Sequence, residues 1–264
     1  MSDRVRQVAV TASAVFMVVG TLYGIGVIGT RVEESAGGSL SATATLLAPA
    51  VRAFSIWSLI YVGLVAYVVW QWLPANTASP RARRIGWLAA ASMVLNGAWL
   101  LVTQVGLLWL SVVVILALAL DLGVLMRRLG PPTAAGAVEK LVVDGTFGVY
   151  LGWVAVATAA NITATLVASG VNPPTDVAEL WAVGVLAIAA LIGVLLARAL
   201  DARLGVALAM AWGLSWIAVG RLTGEPASDL AGVAAAVAAA VVLTVTGLIW
   251  LRRVGQLVPV HVHH

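Results

Sequence analysis

The residues with chemical capacity inside the apolar stretches of this sequence are indoles, phenols and carboxamides, and they recur at helical spacing. Trp57 and Tyr61 are four apart, Asn96 and Trp99 three apart, and Trp153, Ala157 and Asn161 fall at i, i+4 and i+8, so each set shares one face of a helix. Rings beside small residues and amides make the walls of a small-molecule pocket: ring faces stack on a flat apolar ligand, and a few donors and acceptors orient it. The same residues also suit a plainer purpose, since large rings fill helix interfaces and isolated asparagines join helices by hydrogen bonds in a membrane. Side-chain acid–base or metal chemistry has less to work with. The chain has no cysteine, and its three histidines, His261, His263 and His264, sit together after Pro259, where they read as a frayed end or a tag remnant rather than as ligands. There is no paired-carboxylate arrangement, phosphate loop or HExxH spacing, so no enzymatic activity, no metal site and no obligatory cofactor is expected.

The elements that position these residues must be membrane spans. Of 264 residues, 62% are hydrophobic and 10% charged, against about 45–50% and about 25% in soluble domains, and the mean hydropathy is +1.04. A single soluble core cannot hide that much apolar surface. The apolar runs show no period-two alternation, which excludes the strands of a membrane barrel. Bounded by charge, Gly and Pro, the runs predict eight spans at about 8–30, 52–73, 84–103, 106–126, 146–169, 178–198, 204–221 and 229–251, each near the length that crosses a bilayer. The expected fold class is all-α, a polytopic transmembrane helical bundle. The first run is read as a span and not as a cleavable signal, being long and without an evident small-residue cleavage site.

Charge sets the orientation. Arg4, Arg6, Arg81, Arg83, Arg84, Arg127, Arg128, Lys140, Arg198, Arg203, Arg252 and Arg253 fall on one side of such a bundle, and only Arg31, Arg52 and Arg221 on the other. Twelve against three places both termini in the cytoplasm of a multi-pass protein of the cytoplasmic membrane. The formal charge of +4 is explained by the same rule, and no nucleic-acid partner is expected. Among the connections, residues 31–51 form a long loop rich in Gly, Ser, Ala and Thr that reads either as a lid over the bundle mouth or as a solvated linker. Thr103-Gln-Val-Gly106 is a tight turn that makes spans 3 and 4 antiparallel neighbours. Asn172-Pro-Pro-Thr-Asp176 divides a five-span module, residues 1–172, from a three-span segment with a short cytoplasmic tail, residues 173–264.

Depth sorts the eleven tryptophans. Trp70, Trp72, Trp87 and Trp250 fall at the inner interface and Trp109 and Trp181 at the outer one, as expected of headgroup anchors. Trp57, Trp99, Trp153, Trp212 and Trp216 lie deeper and are pocket candidates, with Trp212 and Trp216 either extending one cavity or forming a second. Asp121 is the only acid inside a span and away from its terminal residues, where Glu179 and Asp229 lie. Asp121 falls near the inner end, where Arg127 or Arg128 is within reach, so a local ion pair or a snorkelled side chain is expected rather than a proton relay.

Three segments resemble the TspO/MBR family, the tryptophan-rich sensory proteins related to the mitochondrial translocator protein. Ser55-Ile-Trp57-Ser-Leu-Ile-Tyr61 resembles the family's P-x-W-T-x-L-Y segment of span 2. Leu95-Asn96-Gly-Ala-Trp99 resembles L-N-x-x-W of span 3, and Tyr150-Leu-Gly-Trp153-Val-Ala-Val-Ala157-Thr158-Ala-Ala-Asn161 resembles Y-x-x-W-x-x-x-A-T-x-x-N of span 5. The likeness covers about residues 8–170 in order and spacing, and it does not account for three further spans. Ser55 and Val149 stand where the family often has proline, and Ser111 where span 4 often has an acid. The resemblance implies a five-helix bundle, commonly dimeric, that takes up tetrapyrroles and other hydrophobic ligands. Trp57, Tyr61, Asn96, Trp99, Trp153, Ala157 and Asn161 would then form the ligand site beneath residues 31–51. It also implies a bound porphyrin or haem, a homodimer, and a sensory or transport-associated role in the lipid bilayer. A secondary transporter or permease for a neutral or amphipathic substrate is the alternative; the lack of buried charge and of an internal repeat counts against it. An enzyme that degrades a bound porphyrin by tryptophan chemistry is suggested by the resemblance alone.

Overall fold

A computed structural model describes residues 2–130 and 136–257, and the three histidines lie outside them. Among the described residues eight helices are long and apolar enough to cross a membrane: α1 (Asp3–Gly24), α2 (Ile56–Trp72, which reaches that length with the 3-10 turn Val51–Ser55 before it), α3 (Pro80–Gln104), α4 (Leu108–Arg128), α5 (Thr146–Ala168), α6 (Thr175–Ala199), α7 (Leu204–Thr223) and α8 (Asp229–Leu257). Among the described residues there is no strand.

Local sequence explains where the helices stop. Ser2 caps α1 by accepting from the Val5 amide at 3.4 Å, and Asp3 sits favourably in the first turn. The apolar run continues to residue 30, yet α1 ends at Gly24, because Gly26 and Gly29 take φ of 76° and 82°, values that glycine adopts without strain. The first span is therefore shorter at its C-terminal end than hydropathy predicts, and the connection to α2 is longer. Ser79 and Pro80 open α3. Gly106, at φ 73°, makes the predicted tight turn into α4.

Packing follows two patterns. Helices α1 to α5 close a ring in the order α2, α1, α3, α4, α5 and back to α2. Outside that ring α7 lies along α5, α8 along α7, and α6 along α8. Small residues set the close approaches, as expected where packing rather than hydrophobicity drives helix association. A Cβ on Gly20 would sit 2.9 Å from the Gly97 Cα, which fixes the crossing of α1 and α3. On α5, Gly148 and Gly152 face Gly205, Val206 and Ala209 of α7, and a Cβ on Gly152 would run into the Val206 carbonyl.

Charges gather at the end of the bundle opposite the long loop. Arg81 binds Glu139 and Asp144, each at 2.9 Å, and Asp144 also pairs with Arg203 at the start of α7. Arg83 pairs with Asp3 at 2.6 Å. Two expectations are corrected. Trp70 is 5% exposed and stacks on Tyr67 at 6.1 Å, so it is a core ring and not a headgroup anchor. Asp121 makes no ion pair among the described residues, and its Oδ2 is buried without a hydrogen-bond partner. Trp72, Trp87, Trp109, Trp181 and Trp250 all face outward, as anchors do.

Candidate ligand-binding site

Two neighbouring cavities lie beneath the connection from α1 to α2. The larger has a volume of about 430 Å³, inside the range of roughly 300–1,000 Å³ usual for small-molecule sites. Its walls are Thr21 and Gly24 from α1, Ile25, Arg31, Val32, Glu33 and Leu40 from the loop, Trp57, Ser58 and Tyr61 from α2 with Val51 and Phe54 from the turn before it, and Trp99 and Leu100 from α3. The smaller, about 60 Å³, lies between loop residues such as Ser41, Ala42 and Pro49 and the α5 face that carries Trp153, Ala157 and Asn161. Val32, Leu40, Phe54 and Trp99 belong to both walls. The loop therefore covers the cavities, and the linker reading of residues 31–51 gives way.

The helical spacing brings the rings together. Trp57 stacks on Tyr61 at 5.3 Å with 21° between planes. It meets Tyr150 and Trp153 edge to face at 6.0 and 6.2 Å, and Phe54 meets Trp153 in the same way at 5.7 Å. These separations are those of favourable aromatic pairs. Trp153 is 1% exposed, whereas Trp57, Tyr61 and Trp99 are half-buried and offer surface to the larger cavity.

The amides differ in their surroundings. Asn161 accepts from Trp99 Nε1 at 2.7 Å and donates to Ser111 Oγ at 2.9 Å and Thr165 Oγ1 at 3.3 Å, so it fixes the Trp99 ring while lining the smaller cavity. Ser111, at the position where the family often has an acid, is thus an amide partner. Asn96 lies on the wall of neither cavity. Its Oδ1 accepts from the Tyr61 hydroxyl at 3.3 Å, which orients a ring that does line one. Its Nδ2 and the Nε1 of Trp153 are buried with no partner.

Of the seven expected site residues, Trp57, Tyr61 and Trp99 line the larger cavity, and Trp99, Trp153, Ala157 and Asn161 the smaller. Phe54 and Tyr150 were not singled out. Phe54 lies three residues before Trp57, on the same helical face, and Tyr150 opens the span 5 motif; both signals were present in the sequence. Trp212 and Trp216 line neither cavity. They meet edge to face at 5.6 Å, and they bind the loop backbone instead.

A model of the family described as TSPO-like protein matches residues 7–249. The match includes the three aromatic segments and extends beyond residue 170 through α6, α7 and most of α8. Neither the curated proteins nor the solved structures give a match to this chain. With eight apolar helices, a tryptophan-walled cavity inside the ring of the first five, and a family match over nearly the whole length, this chain belongs to the TSPO-like family and is a multi-pass membrane protein of that type.

Proposed function

We propose that this protein binds a flat hydrophobic ligand of the porphyrin or tetrapyrrole class beneath residues 25–50, in a sensory or transport-associated role in the cytoplasmic membrane, and that it does so without chemical turnover. The observation that carries this reading is the 430 Å³ cavity with the stacked Trp57–Tyr61 pair on one wall and Trp99 on another. A planar macrocycle gains there from ring stacking and from burial of both its faces. The residues fit a metal-free porphyrin better than an axially ligated haem. The chain has no cysteine, its only histidines are at 261, 263 and 264, and Tyr61, the one wall residue of a kind that ligates haem iron, spends its hydroxyl on Asn96, so affinity rests on ring faces and not on iron ligation. Arg31 and Glu33 at the mouth suit the polar edge of such a ligand.

Titration of protoporphyrin IX into the detergent-solubilised protein, followed by tryptophan quenching, tests the reading. Saturable binding is expected, weakened about fivefold, or ~1 kcal/mol, by Trp57→Leu, which keeps apolar bulk and removes a stacking face. Trp72→Leu, on the outward surface, should leave affinity unchanged. Equal affinity of both variants and the parent would overturn the site assignment.

A further inference from the structure

Helix α7 reaches the candidate site through its cover. At the loop end of α7, Arg221 is 1% exposed, and its guanidinium donates to four backbone carbonyls. Nη1 binds Thr45 O at 3.0 Å and Pro226 O at 2.9 Å, and Nη2 binds Ala42 O at 3.0 Å and Glu225 O at 3.1 Å. Two of these acceptors lie in the cover and two in the turn from α7 to α8. Among the described residues no carboxylate lies within ion-pair distance of Arg221. A guanidinium is withdrawn from water here in return for charge-assisted bonds to backbone, and its planar fork reaches two segments at once.

The same helix makes two further attachments. Trp212 Nε1 donates to Ala53 O at 2.9 Å, and the Ala50 amide donates to Trp216 O at 3.1 Å. Gly220 leaves room for the chain there: a Cβ on it would lie 3.4 Å from the Ala50 nitrogen. The cover is therefore fastened to α7 at residues 42, 45, 50 and 53. Between and beside those points Ser41, Ala42, Ala48, Pro49, Val51 and Phe54 form cavity wall, whereas α7 itself contributes no wall residue.

We propose that α7 is a latch for the cover of the cavity, with Arg221 as its positioning residue, so that ligand exchange is governed by a helix that touches no ligand. The functional half of this inference rests on the ligand-binding reading above. The latch itself is a property of the ligand-free protein. A purely local role for Arg221, closing the α7–α8 turn through Glu225 and Pro226, predicts no change in the cover when the arginine is replaced.

Hydrogen exchange of the full chain in detergent micelles, without ligand, separates the two. Arg221→Met should raise exchange across residues 40–50 by about tenfold or more, the scale of one or two lost charge-assisted bonds, while the interior of α3 keeps its protection. Arg221→Lys, which retains the charge but not the planar fork, should fall between. Trp212→Phe keeps a ring and removes only the bond to Ala53, so exchange near residue 53 should rise severalfold; this variant and Arg221→Lys carry the test should Arg221→Met fail to fold. Stopped-flow release of protoporphyrin IX should quicken in step with loop exchange. Unchanged exchange at residues 40–50 in the folded Arg221 variants, or near residue 53 in Trp212→Phe, overturns the latch. A loosened loop with an unchanged release rate overturns its control of the site. A parent protein that takes up no protoporphyrin IX, but whose loop still loosens in Arg221→Met, overturns the ligand reading and leaves the latch standing.

Discussion

Asn161 and Asn96 look equivalent in the sequence, each a lone amide three or four residues from a site ring or alanine, yet the structure gives them different duties. Asn161 uses both ends of its amide, on Trp99, Ser111 and Thr165, and truncating it strands an indole N–H in the interior, while Ser111 keeps its bond to Leu108 O. Asn161→Ala should therefore cost about 1–3 kcal/mol, the usual penalty for an orphaned buried polar group, and should lower the melting temperature in detergent. Asn96 spends only its Oδ1, on a half-buried Tyr61, and leaves Nδ2 unpaired. Asn96→Ala removes an orphan as it creates one, so its loss should stay below about 1 kcal/mol. Equal losses in the two variants would contradict this account. The rings were legible because a 3.6-residue period reveals which residues share a face. The positions of the amides were legible in the same way but their partners were not, because a partner such as Ser111 lies 50 positions away and leaves no local pattern.

Helix α5 serves two neighbours with two faces. Trp153, Ala157 and Asn161 point to the smaller cavity, and Gly148, Gly152 and Val156, one position back on the helix, meet α7. The first face was readable from its ring and amide. The second reads as a plain small-xxx-small stripe, whose partner hydropathy cannot identify. Gly152→Ala sets a methyl against the Val206 carbonyl and within 2.9 Å of the Ala209 Cβ; it should destabilise by about 1–3 kcal/mol, as overpacking does. Gly184→Ala on α6 meets nothing within 4 Å and should be neutral or stabilising by up to about 1 kcal/mol through helix propensity. Thermal unfolding of both in one detergent checks the contrast, and a neutral Gly152→Ala would mean that the seam is looser than its geometry. Element boundaries were legible at the tight turn of Thr103 to Gly106, whereas α3 begins at Pro80, four residues ahead of where hydropathy sets it, because Ser79 caps it there. They failed at residues 25–30, where glycines at positive φ end a helix inside a run that is still apolar.

At the scale of the whole molecule the eight spans were legible because a lipid interior requires about twenty apolar residues per crossing. The attachment of α7 to the cover was not, since Arg221 and Thr45 are separated by 176 positions and a basic residue near a span end reads as one more surface charge. Its burial sharpens the charge asymmetry. On the loop side, Arg221 is enclosed and Arg31 is paired with Glu33 at 3.2 Å, whereas the opposite end carries twelve basic residues. Cations are retained on the cytoplasmic side, and an even number of crossings returns the chain to where it began, so both termini should be cytoplasmic and the cover should face out. The absence of native cysteine makes this directly measurable. Ser2→Cys, Glu34→Cys and Gly255→Cys each replace an outward-facing residue. In intact cells an impermeant thiol reagent should label only Glu34→Cys, and the two terminal variants should react only once the membrane is opened. Labelling of both termini from outside would invert the molecule. Labelling of one terminus alone would mean an odd number of crossings, so that one of the eight apolar helices does not span.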